Sequence, residues 1–187
     1  DPVRYGTAAG FAELRRLKSY HMYIDISNKP YLGKHEIFIL DLLANNHWKR
    51  PIYYAVTVSS DSYMGLDRYF RLEGLAYRIM PYSAGGRSDT DIMYNNMMNK
   101  FKFGNAADPK VYLEENNRRM ATTFRHMFAR LAADLANKGD QADKDKAMKV
   151  LDYCQKMIPA SAVPHDYSSL SIADAYYALG QTAKGDA

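Results

Sequence analysis

Leu42–Val58 reads LLANNHWKRPIYYAVTV, and it changes period once. Its start closes a helix. Over Lys34–Ala44 the residues Ile37, Leu40, Leu43 and Ala44 fall on one stripe at helical spacing. Asn45-Asn46 then supplies a stop, because Asn tolerates the left-handed conformation that ends helices. Its second half has the period of a strand. Across Ile52–Val58, Ile52, Tyr54, Val56 and Val58 face one way, and Tyr53, Ala55 and Thr57 the other. Both faces are largely apolar, which predicts a strand covered on both sides. Pro51 stands at its start, where a missing N–H does least harm.

The same two periods recur outward. Thr7–Leu17 repeats Phe11, Leu14 and Leu17 at helical spacing. Tyr20–Ile26 alternates as a strand, with Met22, Ile24 and Ile26 on one face. Ser27-Asn28-Lys29-Pro30 reads as a turn. Gly65–Leu72 is expected to be a short helix and Leu75–Met80 a third strand. Strands alternating with helices predict a small βαβ-type layer. Pro81–Thr90 reads as a loop, and Asp91–Phe101 as a helix with Ile92, Met93, Met97 and Met98 apolar.

Composition shifts at Gly104–Pro109, so the chain is expected to divide into a mixed α/β subdomain, 1–104, and a helical one, 105–187. Asp108 can cap a helix with Pro109 at its first position. The helix or helix pair beyond carries Val111, Leu113, Met120, Phe124, Phe128, Leu131 and Leu135. Asp143–Met157 follows with Ala147, Val150, Leu151 and Cys154, then Leu170–Leu179 with Ile172, Ala173, Tyr176 and Tyr177. An internal echo links Ala132, Leu135 and Gly139 to Ala173, Tyr176 and Gly180. Such spacing is tetratricopeptide-like, although the two glycines lie further apart than the about 34 residues of that repeat. A generic array of helical hairpins is the alternative. The fold class is therefore α+β and mostly helical.

Bulk properties narrow the function. A chain of 187 residues, 47% hydrophobic, can bury a core as one domain or two small ones. A net charge of +4, scattered among acids, makes no nucleic-acid face. One cysteine, Cys154, excludes an internal disulfide framework and a multi-Cys zinc site. The most apolar stretch, Ile37–Ala44, is far shorter than the about 20 residues of a membrane span. The chain begins at Asp1 rather than Met. It is expected to be a processed product or a piece of a longer protein.

Candidate chemistry is sparse. Asp89 and Asp91 form an acidic pair able to hold a divalent cation, which would make a metal-dependent enzyme. They also stand where a helix begins, and N-capping is the expected role. The five histidines show no i, i+4 pair of the helical metal type. Cys154 lies on an apolar helical stripe, as a buried thiol does. No G-x-S-x-G, phosphate-binding or dinucleotide-binding loop is present, and no cofactor is expected. Gly85-Gly86-Arg87 reads as an anion nest or a plain loop. The remaining candidates for ligand contact are Trp48, Arg50, Tyr53, Tyr54 and Arg87, because Tyr and Trp stack on sugars and peptide side chains. The Trp48 loop, however, precedes its strand, whereas ligands of open α/β sheets favour the carboxyl ends. Packing within the core or loop is the expected role of Trp48.

Asn45-Asn46-His47-Trp48-Lys49-Arg50-Pro51-Ile52-Tyr53-Tyr54-Ala55-Val56-Thr57 also carries a family resemblance. Gly65–Arg78, Asp91–Tyr94, Asn99–Phe101, Val111–Asn117 and the segment from Pro164 to Tyr177 agree with it. The chain resembles the C-terminal part of a family of bacterial multi-pass membrane proteins, domain of unknown function 2723. That family is similar to protein O-mannosyltransferases, whose membrane portion uses a polyprenyl-linked sugar donor. The resemblance implies a part tethered by membrane spans that lie outside this sequence, on the extracytoplasmic (periplasmic) face, and it carries no catalytic residue onto these positions. The expected function is a non-catalytic accessory or protein-interaction domain of a membrane-embedded glycosyltransferase-like protein. Its partners would be the membrane portion of its own chain and a protein or glycan acceptor. A carbohydrate- or acceptor-binding module is the alternative.

Overall fold

The computed structural model describes residues 22–27 and 29–186. Contacts divide them into two compact units. The first runs to Leu72 and resumes over Ala76–Arg87; the second holds Glu73–Leu75 and everything from Ser88 onward. The expected helix Thr7–Leu17 lies outside the described residues.

In the first unit, helix α1 (Lys34–Asn46) begins where Glu36 reaches back to accept from the Gly33 amide at 2.7 Å, while Lys29 pairs with the same carboxylate. Both contacts hold the Glu36 carboxyl below its ordinary titration range, the Lys29 contact most strongly. Leu40 and Leu43 pack inward as the stripe requires, whereas Ile37 is exposed. The stop arrives one residue later than Asn45-Asn46. His47 and Trp48 both take left-handed backbone (φ 48° and 56°), and the Asn46 side-chain amide donates to the Arg50 carbonyl at 2.7 Å. Asn46 thus ties the turn rather than adopting the strained conformation itself.

Three short strands follow: β1 (Tyr53–Ala55), β2 (Phe70–Leu72) and β3 (Ala76–Ile79). They form an antiparallel sheet in the order β1-β3-β2, with Tyr54 opposite Tyr77 and Leu72 opposite Tyr77. This overturns the βαβ-type layer. A parallel crossover needs a dozen or more residues, and only Glu73-Gly74-Leu75 separates β2 from β3. Gly65–Leu72, expected as a helix, gives one 3₁₀ turn (Leu66–Tyr69) and then β2. The residues described from Tyr20–Ile26 do not pair as a strand, although Met22 and Ile24 still face the core.

One face of the sheet is buried. Tyr54, Phe70 and Ile79 pack with Tyr63 and Tyr77 in an aromatic cluster, Phe70 and Tyr77 being stacked at 5.2 Å. The other face leaves Tyr53 and Ala55 exposed. β1 is an edge strand covered on one side, not the doubly covered strand its apolar pattern predicted.

The second unit is helical: α2 (Thr90–Asn95) continued by a π turn to Lys100, then α3 (Glu115–Ala136), α4 (Gln141–Met157), α5 (Tyr167–Ala178) and the single turn α6 (Thr182–Gly185). Helix α2 packs on α3, with Met93 and Met97 fully buried, so residues 88–104 belong here and not with the sheet. The boundary falls at Arg87/Ser88 instead of at Gly104. Helix α3 packs against both α4 and α5. Its stripe Phe128, Leu131 and Leu135, and the α4 stripe Ala147, Val150, Leu151 and Cys154, are buried as their spacing required. Each large side chain among them contributes roughly 1.5–3 kcal/mol. Gly180 (φ 73°) closes α5 in a Schellman turn, with Gln181 N–H donating to the Tyr176 carbonyl and Gly180 N–H to that of Tyr177.

Arg125 departs from the pattern. It sits on the buried stripe of α3 and is 1% exposed. Its guanidinium donates to the carbonyls of Pro164 (2.9 Å), Ile158 (3.0 Å) and Val163. These carbonyls belong to the end of α4 and the loop beyond it, where unpaired acceptors and the helix dipole both favour a cation.

Candidate functional site

The helical unit carries an open groove, and residues 101–124 build it. Phe101 and Phe103 approach Phe124 edge-on, at 6.0 and 5.0 Å between ring centroids, and Phe103 also meets Phe128 at 5.8 Å. These rings pin the segment after the π turn onto α3. Asp108 does not start a helix. Its carboxylate accepts from the Lys110 amide at 2.9 Å, and that turn sends Val111-Tyr112-Leu113 back as irregular chain. The helix opens only at Glu115, after Glu114 caps it by accepting from Asn116 N–H at 3.0 Å.

The result is a recess of about 270 Å³ with Phe103, Leu113, Met120, Phe124 and Ile158 among its walls and Lys102, Asn105 and Asn117 among its polar members. A second recess of about 380 Å³ shares Val111 and Leu113 with it and adds Lys110, Tyr112 and Arg118. Neither is lined by a carboxylate. No ion pair among the described residues engages the side chains of Lys102, Lys110 or Arg118. The arrangement offers apolar burial beside three available cations. It presents no nucleophile held against a base.

The residues singled out for ligand contact, Trp48, Arg50, Tyr53, Tyr54 and Arg87, all lie in the first unit. Tyr54 is core: burial pushes its phenol up to about 12, with Glu36 and Tyr63 adding to the effect, and its hydroxyl reaches the Ser62 carbonyl at 3.5 Å. Trp48 is 41% exposed and Tyr53 45%, so Trp48 lies outside the core, in the loop that follows α1. Arg50 is exposed, and its carbonyl is held by Asn46. Arg87 is exposed at the end of the Gly85-Gly86 loop. The amides of Ala84 and Gly85 there converge on the Arg68 carbonyl at 2.9 Å. A peptide oxygen takes those two amides. Asp89 caps α2 by accepting from Ile92 N–H at 3.0 Å, as expected of it. Cys154 is buried, and burial pushes its thiol up to about 12. Among the described residues, no three His, Cys, Asp or Glu side chains converge on a metal-sized site.

Sequence reasoning missed the groove residues. A signal for them exists: Lys102, Lys110 and Arg118 interleave with Phe103, Val111 and Leu113 around the turn residues Asp108-Pro109.

The helical unit of this mixed α+β chain thus bears an apolar, cation-edged groove. A family model described as TMEM260-associated domain 2 matches residues 10–100. Over that stretch the chain is similar to a domain associated with a membrane protein. No curated protein and no solved structure matches it. Among the described residues, no helix is long and apolar enough to cross a membrane.

Proposed function

We propose that this chain is a non-catalytic accessory domain of a membrane-embedded protein, and that it acts by binding a polypeptide in the groove of its helical unit. The observation that carries the reading is the groove itself, apolar walls beside three cations with no carboxylate in the lining. The similarity over residues 10–100 supports an association with a membrane protein. The wider resemblance to the domain of unknown function 2723 family supports a glycosyltransferase-like parent and an extracytoplasmic position.

In this proposal α3, α4 and α5 are a tetratricopeptide-like array. The packing of α3 on both following helices, the fully buried alanines Ala132 and Ala147, and the turn at Gly180 support it. The partner is then a segment of the parent's membrane portion or an acceptor protein.

The test places a photo-crosslinking amino acid at Val111 in the full-length protein in its native membrane. Val111 is 37% exposed and borders both recesses. The expected product is a crosslink to one defined polypeptide segment. Crosslinks to lipid alone, or none, would refute the reading. A carbohydrate-binding role has one observation in its favour, the half-exposed rings of Trp48 and Tyr53. It predicts that glycans shift the emission of Trp48.

A further inference from the structure

We infer that the groove takes an acidic, apolar peptide segment: one or two bulky side chains enter the recess beside Met120 and Phe124, and carboxylates meet Lys102, Lys110 and Arg118. This rests on the interaction reading above and names the chemistry of its occupant.

Layout argues for a peptide. The recess of about 270 Å³ is open rather than enclosed. It suits side chains presented from a backbone that stays outside. The adjoining recess of about 380 Å³ gives that backbone a continuation across Val111 and Leu113, and its rim supplies Lys110 and Arg118.

Charge argues for acids. No carboxylate lines either recess. Asp108 accepts from Lys110 N–H, and Glu114 accepts from both the backbone and the side-chain amide of Asn116. Asp166 receives the Thr122 hydroxyl at 2.9 Å. Lys102, Lys110 and Arg118 are the charged side chains of the lining, and they suit an acidic ligand. Electrostatic complementarity of this kind selects partners and speeds encounter. Tyr112, 83% exposed between the two halves, is the type of side chain that anchors such contacts.

The test is fluorescence anisotropy on the whole chain. One labelled peptide alternates leucine and phenylalanine with aspartate and glutamate; a second carries lysine in place of the acids. The acidic peptide is expected to bind, more weakly as salt rises, and the basic one not to bind. Charge reversal at two exposed positions, Lys110→Glu with Arg118→Glu, should weaken the acidic peptide by about tenfold or more, since one lost charge-assisted contact already amounts to that factor. Met120→Glu, at a half-exposed wall position, should abolish binding while the helical circular dichroism stays unchanged. Equal binding of the two peptides, no binding of either, or indifference to the paired reversal or to Met120→Glu would overturn the inference. So would displacement of the peptide by phosphatidylglycerol vesicles at equal affinity, or self-association of the chain that Met120→Glu abolishes. The crosslink at Val111 separates the two claims. A captured segment without acids defeats this inference and leaves the interaction reading standing; no captured polypeptide defeats both.

Discussion

Replacing Arg125 by Met tests what holds the helical unit together. The substitution keeps most of the side-chain volume and removes the guanidinium. Three carbonyls then lose their donor, and those of Ile158 and Val163 lie on residues that are almost completely buried. An unsatisfied buried acceptor costs about 1–3 kcal/mol, and the terms are not additive because all three share one donor. A loss of about 3–5 kcal/mol is expected. Arg125→Lys keeps the charge on a shorter, unforked head that cannot reach three acceptors at once, and should lose about 1–2 kcal/mol. Urea unfolding of each variant, followed by circular dichroism, gives the difference directly. For a unit of this size, 3 kcal/mol corresponds to a drop in Tm of about 10–20 °C. Hydrogen exchange supplies a local readout. The amides of Ala162 and Val163, both bonded to the Pro159 carbonyl, should lose protection before those in the middle of α4. If Arg125→Met lies within about 1 kcal/mol of the parent chain, the carbonyls have found water. The guanidinium is then not what fixes residues 158–164.

Cys154, buried and with its thiol pushed up to about 12, should resist alkylation at mildly alkaline pH in the native protein and react only as denaturant opens α4; prompt labelling would contradict the buried stripe. Glu36 is held below its ordinary range by Lys29 and the Gly33 amide. Its stabilising contribution is therefore present above the unfolded-state value and lost as pH falls through the lower folded-state one. The acid limb of an unfolding profile should flatten in Glu36→Gln, and an unchanged limb would remove Glu36 as its cause. Gly180→Ala should cost about 1 kcal/mol through backbone strain alone, because φ is 73° and nothing lies within 4 Å of the added carbon. A larger loss in a melting experiment would point to a contact that the geometry does not contain.

Long, strongly periodic segments are legible in the sequence, and short ones are not. The α4 stripe Ala147–Cys154 and the cap at Asp89 follow from spacing and side-chain chemistry that act locally. The sheet is misread from sequence because a strand of three or four residues shows alternation without direction. Direction is settled by the length of the connection, here Glu73-Gly74-Leu75. Asp108-Pro109 satisfies the same local rule at a turn as at a helix start, and only the irregular run to Leu113 decides between them. Arg125 occupies a buried helical position by spacing, but its charge argues for the surface. The carbonyls that draw it inward lie more than a helix away in sequence. The groove is hidden for the same reason, since Phe103, Leu113, Phe124 and Ile158 meet only in three dimensions.

The guanidinium of Arg125 also imposes an order on synthesis. Its acceptors are 33 to 39 residues downstream. At roughly 5–20 residues per second, some seconds pass between the emergence of α3 and that of the loop that neutralises it. Through that interval the nascent chain holds a bare cation in the stripe that must pack against α4. The stripe cannot close early, and a chain released before Val163 is expected to stay open and prone to aggregate. The helical unit is thus expected to form as a single late event, after the ribosome has passed Pro164.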